Sequence, residues 1–174
     1  MKHAENRYLL ARIFLLLTLP LAQGWAEGNE ATDSNWGEVH AGFRLSLSIK
    51  NHDYERMEPI VAVLVLSNTT DRVLDTVRTS VKDAFKIRIT DAQGNPVPVT
   101  RYGDTQLHGR KSSTVAPMGV QPGKTFTEEI LVNRLYDLTL PGVYSVEVSR
   151  IVADTEAKGW TFVTSNIVQL RIPD

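Results

Sequence analysis

Apolar and polar side chains alternate with a period of two residues in several stretches of this chain. The clearest stretch covers residues 43–49, in which every second residue is Phe, Leu or Ile. Because successive side chains of a strand point to opposite faces, this spacing predicts a half-buried β-strand. The same alternation predicts strands over 85–90, 126–132 and 143–152.

Other segments indicate strands less directly. Residues 59–66 are nearly all apolar, which predicts a strand covered on both faces. A short strand restarts at 73–74, whereas 75–83 reads as irregular structure. The last strand is predicted over 160–172, with a break at Ser165-Asn166.

Turn signals separate these strands at frequent intervals. Residues 91–95 form a Gly-containing turn, and 96–99 contain two prolines, which predicts a hairpin whose second strand lies at a sheet edge. A second turn is predicted at 121–124, and one helical turn at 133–138, covering one end of the fold. Seven to eight strands without a long helix predict an all-β Greek-key sandwich, with an up-and-down barrel as the alternative.

A corner at residues 138–148 organises the pattern. Pro141 fixes φ, Gly142 permits a positive φ, and Tyr144 begins an alternating strand. This arrangement resembles the tyrosine corner of immunoglobulin-like sandwiches, in which the tyrosine hydroxyl binds nearby backbone. The alternative is an ordinary turn before an ordinary strand.

The order of turns and core positions between residues 64 and 148 carries a wider resemblance. It includes Tyr136-Asp137-Leu138 and the Gly142-x-Tyr144 ending. It resembles immunoglobulin-like β-sandwich modules of bacterial secreted proteins and, weakly, the non-catalytic amino-terminal segment of deuterolysin-type metallopeptidases. The zinc motif His-Glu-x-x-His of those peptidases is absent from this sequence. The resemblance therefore implies a sandwich module and no protease activity.

The amino terminus predicts export. Lys2, Arg7 and Arg12 precede an apolar run, and Gly24 and Ala26 are small residues that suit a signal-peptidase site. We expect a signal peptide at 1–26, a flexible leader at 27–35 and one sandwich domain at 36–174. The run is short for a membrane anchor, so we expect a secreted or periplasmic protein without a membrane span after cleavage.

Composition narrows the classes of partner. Without the signal peptide the chain has 16 basic residues (19 minus 3) and 19 acidic residues (20 minus 1), a net charge of −3. This balance argues against nucleic acid as a partner. Zero cysteines mean that no disulfide supports the exported domain, which suits a bacterial envelope protein. We expect a monomer.

Catalytic and metal-binding motifs are weak. His40, His52 and His108 are isolated in sequence, so neither a metal site nor a cofactor is expected. No Gly-x-Ser-x-Gly elbow is present, and the proximity of His108 to Asp104 and Ser112 does not define a triad.

Residues 100–120 are predicted to form a long loop, since apolar residues are few and widely spaced. Loops of this length are uncommon in compact domains and are frequently functional. Such a loop could bind a carboxylate, a phosphate or a sugar ring, or could simply be solvated. The speculative ligand-binding residues are Arg101, Tyr102, His108, Arg110 and Lys111.

These observations predict an exported, non-catalytic binding module whose partner is a protein or cell-envelope component. Two alternatives stay open. One is a peptidase inhibitor that acts through the long loop 100–120, which a stable, extended loop conformation would favour. The other is an enzyme of unrecognised type, which would need converging acidic and imidazole groups.

Overall fold

The computed structural model describes residues 35–50, 54–55, 58–109 and 115–174. The predicted signal peptide lies outside these residues, as does the predicted leader apart from Asn35. Nine strands and three short helices lie within the described part of the chain. In order they are β1 (Phe43–Ile49), β2 (Val61–Asn68), β3 (Leu74–Arg78), α1 (Val81–Ala84), β4 (Phe85–Thr90), α2 (Arg101–His108), β5 (Ala116–Val120), β6 (Thr125–Leu131), α3 (Val132–Leu135), β7 (Gly142–Asp154), β8 (Gly159–Thr164) and β9 (Val168–Ile172).

The strands form two antiparallel sheets. The first has the order β1-β2-β6. The second has the order β4-β7-β3-β5, and its long strand β7 also pairs with β8 and β9. The predicted all-β class is confirmed, and the two sheets are consistent with a sandwich. The structure describes nine strands, whereas the sequence predicts seven to eight. The difference arises because the predicted loop contains β5 and because the predicted last strand is divided into β8 and β9.

Alternate side chains from both sheets bury one apolar core. The alternation in β1 and β7 has the predicted facing, with the even-numbered side chains of β7 turned inward. In β2 the even-numbered side chains are buried, and the odd-numbered valines at 61, 63 and 65 are half-buried. Each fully buried aliphatic side chain contributes about 1.5–3 kcal/mol to folding. The most deeply buried members are Phe43, Leu45, Val146, Val152 and Val163.

Two asparagine side chains make the hydrogen bonds to strand backbone that a neighbouring strand would otherwise make. The Asn166 amide accepts a hydrogen bond from the Leu47 N–H at 2.8 Å and donates to the Leu47 carbonyl at 3.0 Å. Asn133 accepts from the Ile60 N–H at 3.1 Å and donates to the Glu58 carbonyl at 2.7 Å. Buried backbone groups need such partners. Asn166 therefore accounts for the predicted break between β8 and β9.

The predicted corner before β7 forms as expected. Gly142 adopts a φ of +156°, and the Tyr144 hydroxyl donates to the Leu140 carbonyl at 2.7 Å. Burial raises the pKa of Tyr144 above 10.0, with smaller contributions from the charges of Asp137 and Asp91. The hydroxyl therefore stays protonated and continues to donate at neutral pH.

Two other segments differ from the sequence prediction. Residues 75–83 are not irregular throughout, because β3 continues to Arg78 and α1 follows at Val81–Ala84. Residues 96–99 make isolated bridges instead of a continuous edge strand. Pro96 and Pro98 have no N–H to donate, and Val97 supplies a single ladder bond to the Ile89 carbonyl.

The predicted long loop at 100–120 is wrong for much of its length. It contains the helix α2 and the strand β5, which pairs with β3 through residues such as Val120 and Leu74. The low apolar content concealed both elements, since α2 is mostly exposed and β5 contains Pro117 and Gly119, which are poor strand formers. Tertiary contacts with α3 and β3 compensate for these weak local signals.

Candidate functional site

Thr100 joins the start of α2 to α3. Its backbone N–H donates to the Leu135 carbonyl at 2.9 Å, and its hydroxyl donates to the Arg134 carbonyl at 2.5 Å. The same hydroxyl accepts from the Gly103 N–H at 2.8 Å, which caps the helix. One side chain therefore fixes both the beginning of α2 and its position against α3.

Gly103 allows the two helices to approach backbone to backbone. It is the one buried residue of α2, and a Cβ added there would collide with the Leu135 carbonyl group. A larger residue at this position would force α2 away from α3. The close approach places Tyr102, the preceding residue, beside the exposed side of α3.

Tyr102 and Arg134 form a stacked pair. The Arg134 guanidinium lies 4.5 Å from the centre of the Tyr102 ring, and 45% of Tyr102 is exposed. A guanidinium over an aromatic ring is attracted by the negative face of that ring. Among the residues the structure describes, neither Arg134 nor Arg101 forms an ion pair.

A cleft of about 320 Å³ opens at Arg134. Its lining includes Thr100, the residue that caps α2, and residues of α3, but no residue within α2 itself; we call it the α2–α3 cleft. Pro59, Leu131, Tyr136 and Leu138 supply its apolar lining. The polar lining side chains are Thr100, Asn133, Arg134, Asp137 and Thr139.

Most polar groups of the cleft have structural partners. Thr100 and Asn133 bind backbone, as described above. The Tyr136 hydroxyl donates to the Ile87 carbonyl at 2.7 Å, and burial raises the pKa of Tyr136 above 10.0. The Oδ1 atom of Asp137 accepts from the Thr139 hydroxyl at 2.6 Å and from its N–H at 3.2 Å. Neither of the two charged lining groups, Arg134 and Asp137, has a partner of opposite charge within the described residues.

The structure places three of the predicted ligand-binding residues on α2. Arg101 and Tyr102 lie at its start, and His108 lies at its end, where its Nδ1 is 2.9 Å from the Asp104 Oδ1. His108 does not line the cleft. Arg110 and Lys111 lie outside the described residues, as does Ser112.

Arg134 and Asp137 are the functional candidates that sequence reasoning missed. The segment 133–138 was expected only to cover the end of the fold. Arg134 follows Tyr102 by 32 residues, and no periodicity in either segment indicates that the two meet. The contact depends on Thr100 and Gly103, whose roles are visible only after folding.

A stable, extended conformation of residues 100–120 would favour the peptidase-inhibitor alternative. Residues Arg101–His108 form a helix instead, which removes that support. Within residues 35–50, 54–55, 58–109 and 115–174, no three His, Cys, Asp or Glu side chains are grouped to hold a metal ion. No helix in that same part of the chain has the length and apolar character to cross a bilayer.

No family model matches this chain, and no curated protein matches it. The C-terminal domain of Wzt is similar at a TM-score of 0.45 and 14% identity, covering 80% of this chain and 77% of that one. The structural-genomics target SoR45 is similar at a TM-score of 0.40 and 12% identity, covering 78% of this chain and 91% of that one. A β-glucosidase from Listeria innocua is similar at a TM-score of 0.39 and 14% identity, covering 76% of this chain.

This chain spans only 16% of the length of that β-glucosidase. Because all three TM-scores lie below 0.5, we assign the chain to no family and transfer no activity from these proteins. The resemblance to immunoglobulin-like modules and to the deuterolysin-type segment stays a prediction.

Proposed function

We propose that this chain is an exported, non-catalytic binding module with an immunoglobulin-like Greek-key topology. It acts as a monomer in the periplasm or outside the cell, where it binds a protein or cell-envelope component. Its binding surface is the end of the fold formed by α2, α3 and the adjoining α2–α3 cleft.

One observation carries this proposal: Arg134 is stacked on Tyr102 at 4.5 Å, beside an apolar cleft. Partly exposed aromatic and arginine side chains are the types that contribute most to binding energy at protein interfaces. Loops and helix ends mounted on a rigid sheet scaffold are common positions for such surfaces.

The chemistry of the cleft favours binding over catalysis. Its charged lining groups are one arginine and one aspartate, and the aspartate Oδ1 is occupied by Thr139. This set can neutralise and orient a bound group. A general base must lie within hydrogen-bond reach of the proton that it abstracts, and His108, the imidazole named from the sequence, does not line the cleft.

The test is affinity capture from a bacterial envelope extract with the immobilised full chain. The double variant Tyr102→Ala/Arg134→Ala removes the stacked pair, and Arg88→Ala serves as the matched control. Arg88 is an exposed arginine of β4 that pairs with Glu147 at 2.9 Å, away from the cleft. We expect the double variant to lose at least one protein that wild type and Arg88→Ala both capture. Identical capture by all three would show that this surface is not the binding site.

A further inference from the structure

We infer that the α2–α3 cleft binds an extended peptide segment, with an apolar side chain in the cleft and a single carboxylate on Arg134. This inference rests on the proposed function and names the chemistry of the ligand. Three observations support this inference: the position of Arg134 over the Tyr102 ring, the apolar lining of the cleft and the Oδ2 atom of Asp137.

The carboxylate follows from the geometry of Arg134. The Arg134 guanidinium lies over the Tyr102 ring at 4.5 Å and forms no ion pair with any described residue. A planar, pre-oriented guanidinium matches the two oxygens of a carboxylate in a bidentate pair. Arg101, at the start of α2, also has no ion-pair partner among the described residues, but it does not line the cleft, so Arg134 is the cation that we assign to the carboxylate.

The apolar side chain follows from the cleft itself. Leu131 is 37% exposed at the edge of the cleft, and Pro59 and Leu138 continue the apolar surface. The volume of about 320 Å³ lies near the lower limit of ligand pockets, which span roughly 300–1,000 Å³. A space of this size accommodates one large side chain and its adjacent backbone more readily than a bulky cofactor.

Asp137 explains why the anion is a single carboxylate and why the ligand carries backbone N–H groups. Its Oδ1 accepts both bonds from Thr139, so Oδ2 can accept from a peptide N–H. The negative charge of Asp137 in the same cleft repels a doubly charged phosphate about twice as strongly as a singly charged carboxylate at the same distance. The pair Arg134 and Asp137 thus complements a peptide, which offers an anion and a donor together.

A carboxylate of this kind has two sources, the carboxyl terminus of a chain or an acidic side chain within it. Calorimetric titration of the full chain with two pairs of short peptides distinguishes them. The first pair ends in leucine, as the free acid or as the amide. The second pair is capped at both ends and contains an internal Leu-Glu or Leu-Gln sequence.

We expect the acid member of one pair to bind about tenfold tighter than its neutral counterpart, since a hydrogen bond to a charged group is worth about that factor. Arg134→Met should abolish the difference, Arg134→Lys should retain part of it, and Arg88→Met should leave it unchanged. Replacing the peptide leucine by serine should weaken binding of the acid peptide. Inorganic phosphate at the same concentration as the acid peptide should not compete with that peptide for the chain.

Equal affinity of acid and neutral peptides, absence of binding by all four, or an acid preference that survives Arg134→Met would overturn the inference. Effective competition by phosphate would also overturn it and indicate a general anion site. The capture experiment separates these failures from failure of the proposed function. If capture still depends on Tyr102 and Arg134, the surface binds a partner through chemistry other than a carboxylate.

Discussion

Arg150 of β7 donates a hydrogen bond to the carboxylate of Glu128 of β6, so a buried ion pair joins the two sheets. The Arg150 side chain is 1% exposed, and its guanidinium lies between the rings of Phe85 at 4.9 Å and Phe126 at 5.1 Å. It also donates to the Val77 carbonyl at 2.9 Å. Burial lowers the pKa of Arg150 to about 10, so the group stays charged at neutral pH.

Removing one partner of this pair should destabilise the fold strongly. Because Arg150→Met leaves a partly buried carboxylate without its cation, we expect a loss of about 3 kcal/mol in the free energy of unfolding. The double variant Arg150→Met/Glu128→Leu should recover most of that loss, since it removes both charges. Urea unfolding monitored by circular dichroism measures both values.

The exposed pair Arg88 and Glu147 provides the comparison. Its arginine side chain is 66% exposed, so Arg88→Met should change the free energy of unfolding by less than about 1 kcal/mol. A loss at Arg150 no greater than at Arg88 would show that the buried pair does not join the sheets energetically.

Gly103→Ala should disturb the site through packing alone. The added methyl group meets the Leu135 carbonyl, and overpacking of this kind costs about 1–3 kcal/mol. We expect lower stability by urea unfolding together with weaker binding of the peptide that the wild type prefers. Thr105→Ala, at an exposed position of α2, should stay within about 0.5 kcal/mol of wild type. An unchanged Gly103→Ala variant would mean that α2 does not depend on close contact with α3.

Tyr144→Phe tests the corner before β7. The variant keeps the buried ring and removes the hydroxyl that donates to the Leu140 carbonyl. A neutral hydrogen bond of this type contributes about 1 kcal/mol, so the midpoint of urea unfolding should fall accordingly. Wild-type stability in the variant would show that the hydroxyl only accompanies the turn.

Asp91→Asn tests the turn between β4 and the bridge at Pro96. Its carboxylate accepts from the Asn95 side chain at 3.0 Å and from the Gln93 and Asn95 N–H groups. The hydrogen bond from the Asn95 side chain is the largest cause that lowers the pKa of Asp91 below 3.8. Hydrogen bonds from backbone N–H groups also lower this pKa.

A folded-state pKa below that of the unfolded chain stabilises the fold above pH 3.8. This contribution disappears as the pH falls through the lower, folded-state value. The stability advantage of wild type over Asp91→Asn should therefore be largest near neutral pH and shrink below pH 3.8. Urea unfolding over a pH series measures it, and an advantage independent of pH would contradict the assignment.

Local patterns were sufficient for most strands. The period-two alternation identified β1, β4, β6 and β7 because each of these strands turns one face to the core and the other to water. The corner at Gly142 and Tyr144 was equally readable, since a positive φ and a donor hydroxyl are properties of single residues. The number of strands was harder, because β5 forms on the edge of β3 despite an unfavourable composition.

The candidate site was only partly readable. The residue types of Arg101, Tyr102 and His108 indicate binding, but the sequence predicts a loop for the segment that carries them. Thr100 caps α2 locally, but its contact with α3 depends on the carbonyl group of Arg134, which lies 34 residues away. The alternation in β7 places residue 150 on the face that packs against the core. The sequence does not indicate a role for Arg150 there, because an arginine on a core face is unexpected until its partner Glu128 is known.

The sequence by itself determined the all-β class, the facing of its main strands and the residue types available for binding, since these depend on spacing and on single side chains. The tertiary structure decided which distant groups meet: Arg134 with Tyr102, Glu128 with Arg150, and Asn166 with Leu47. Such contacts arise when the chain folds and burial requires each polar group to find a partner, and no local pattern encodes which partner that is.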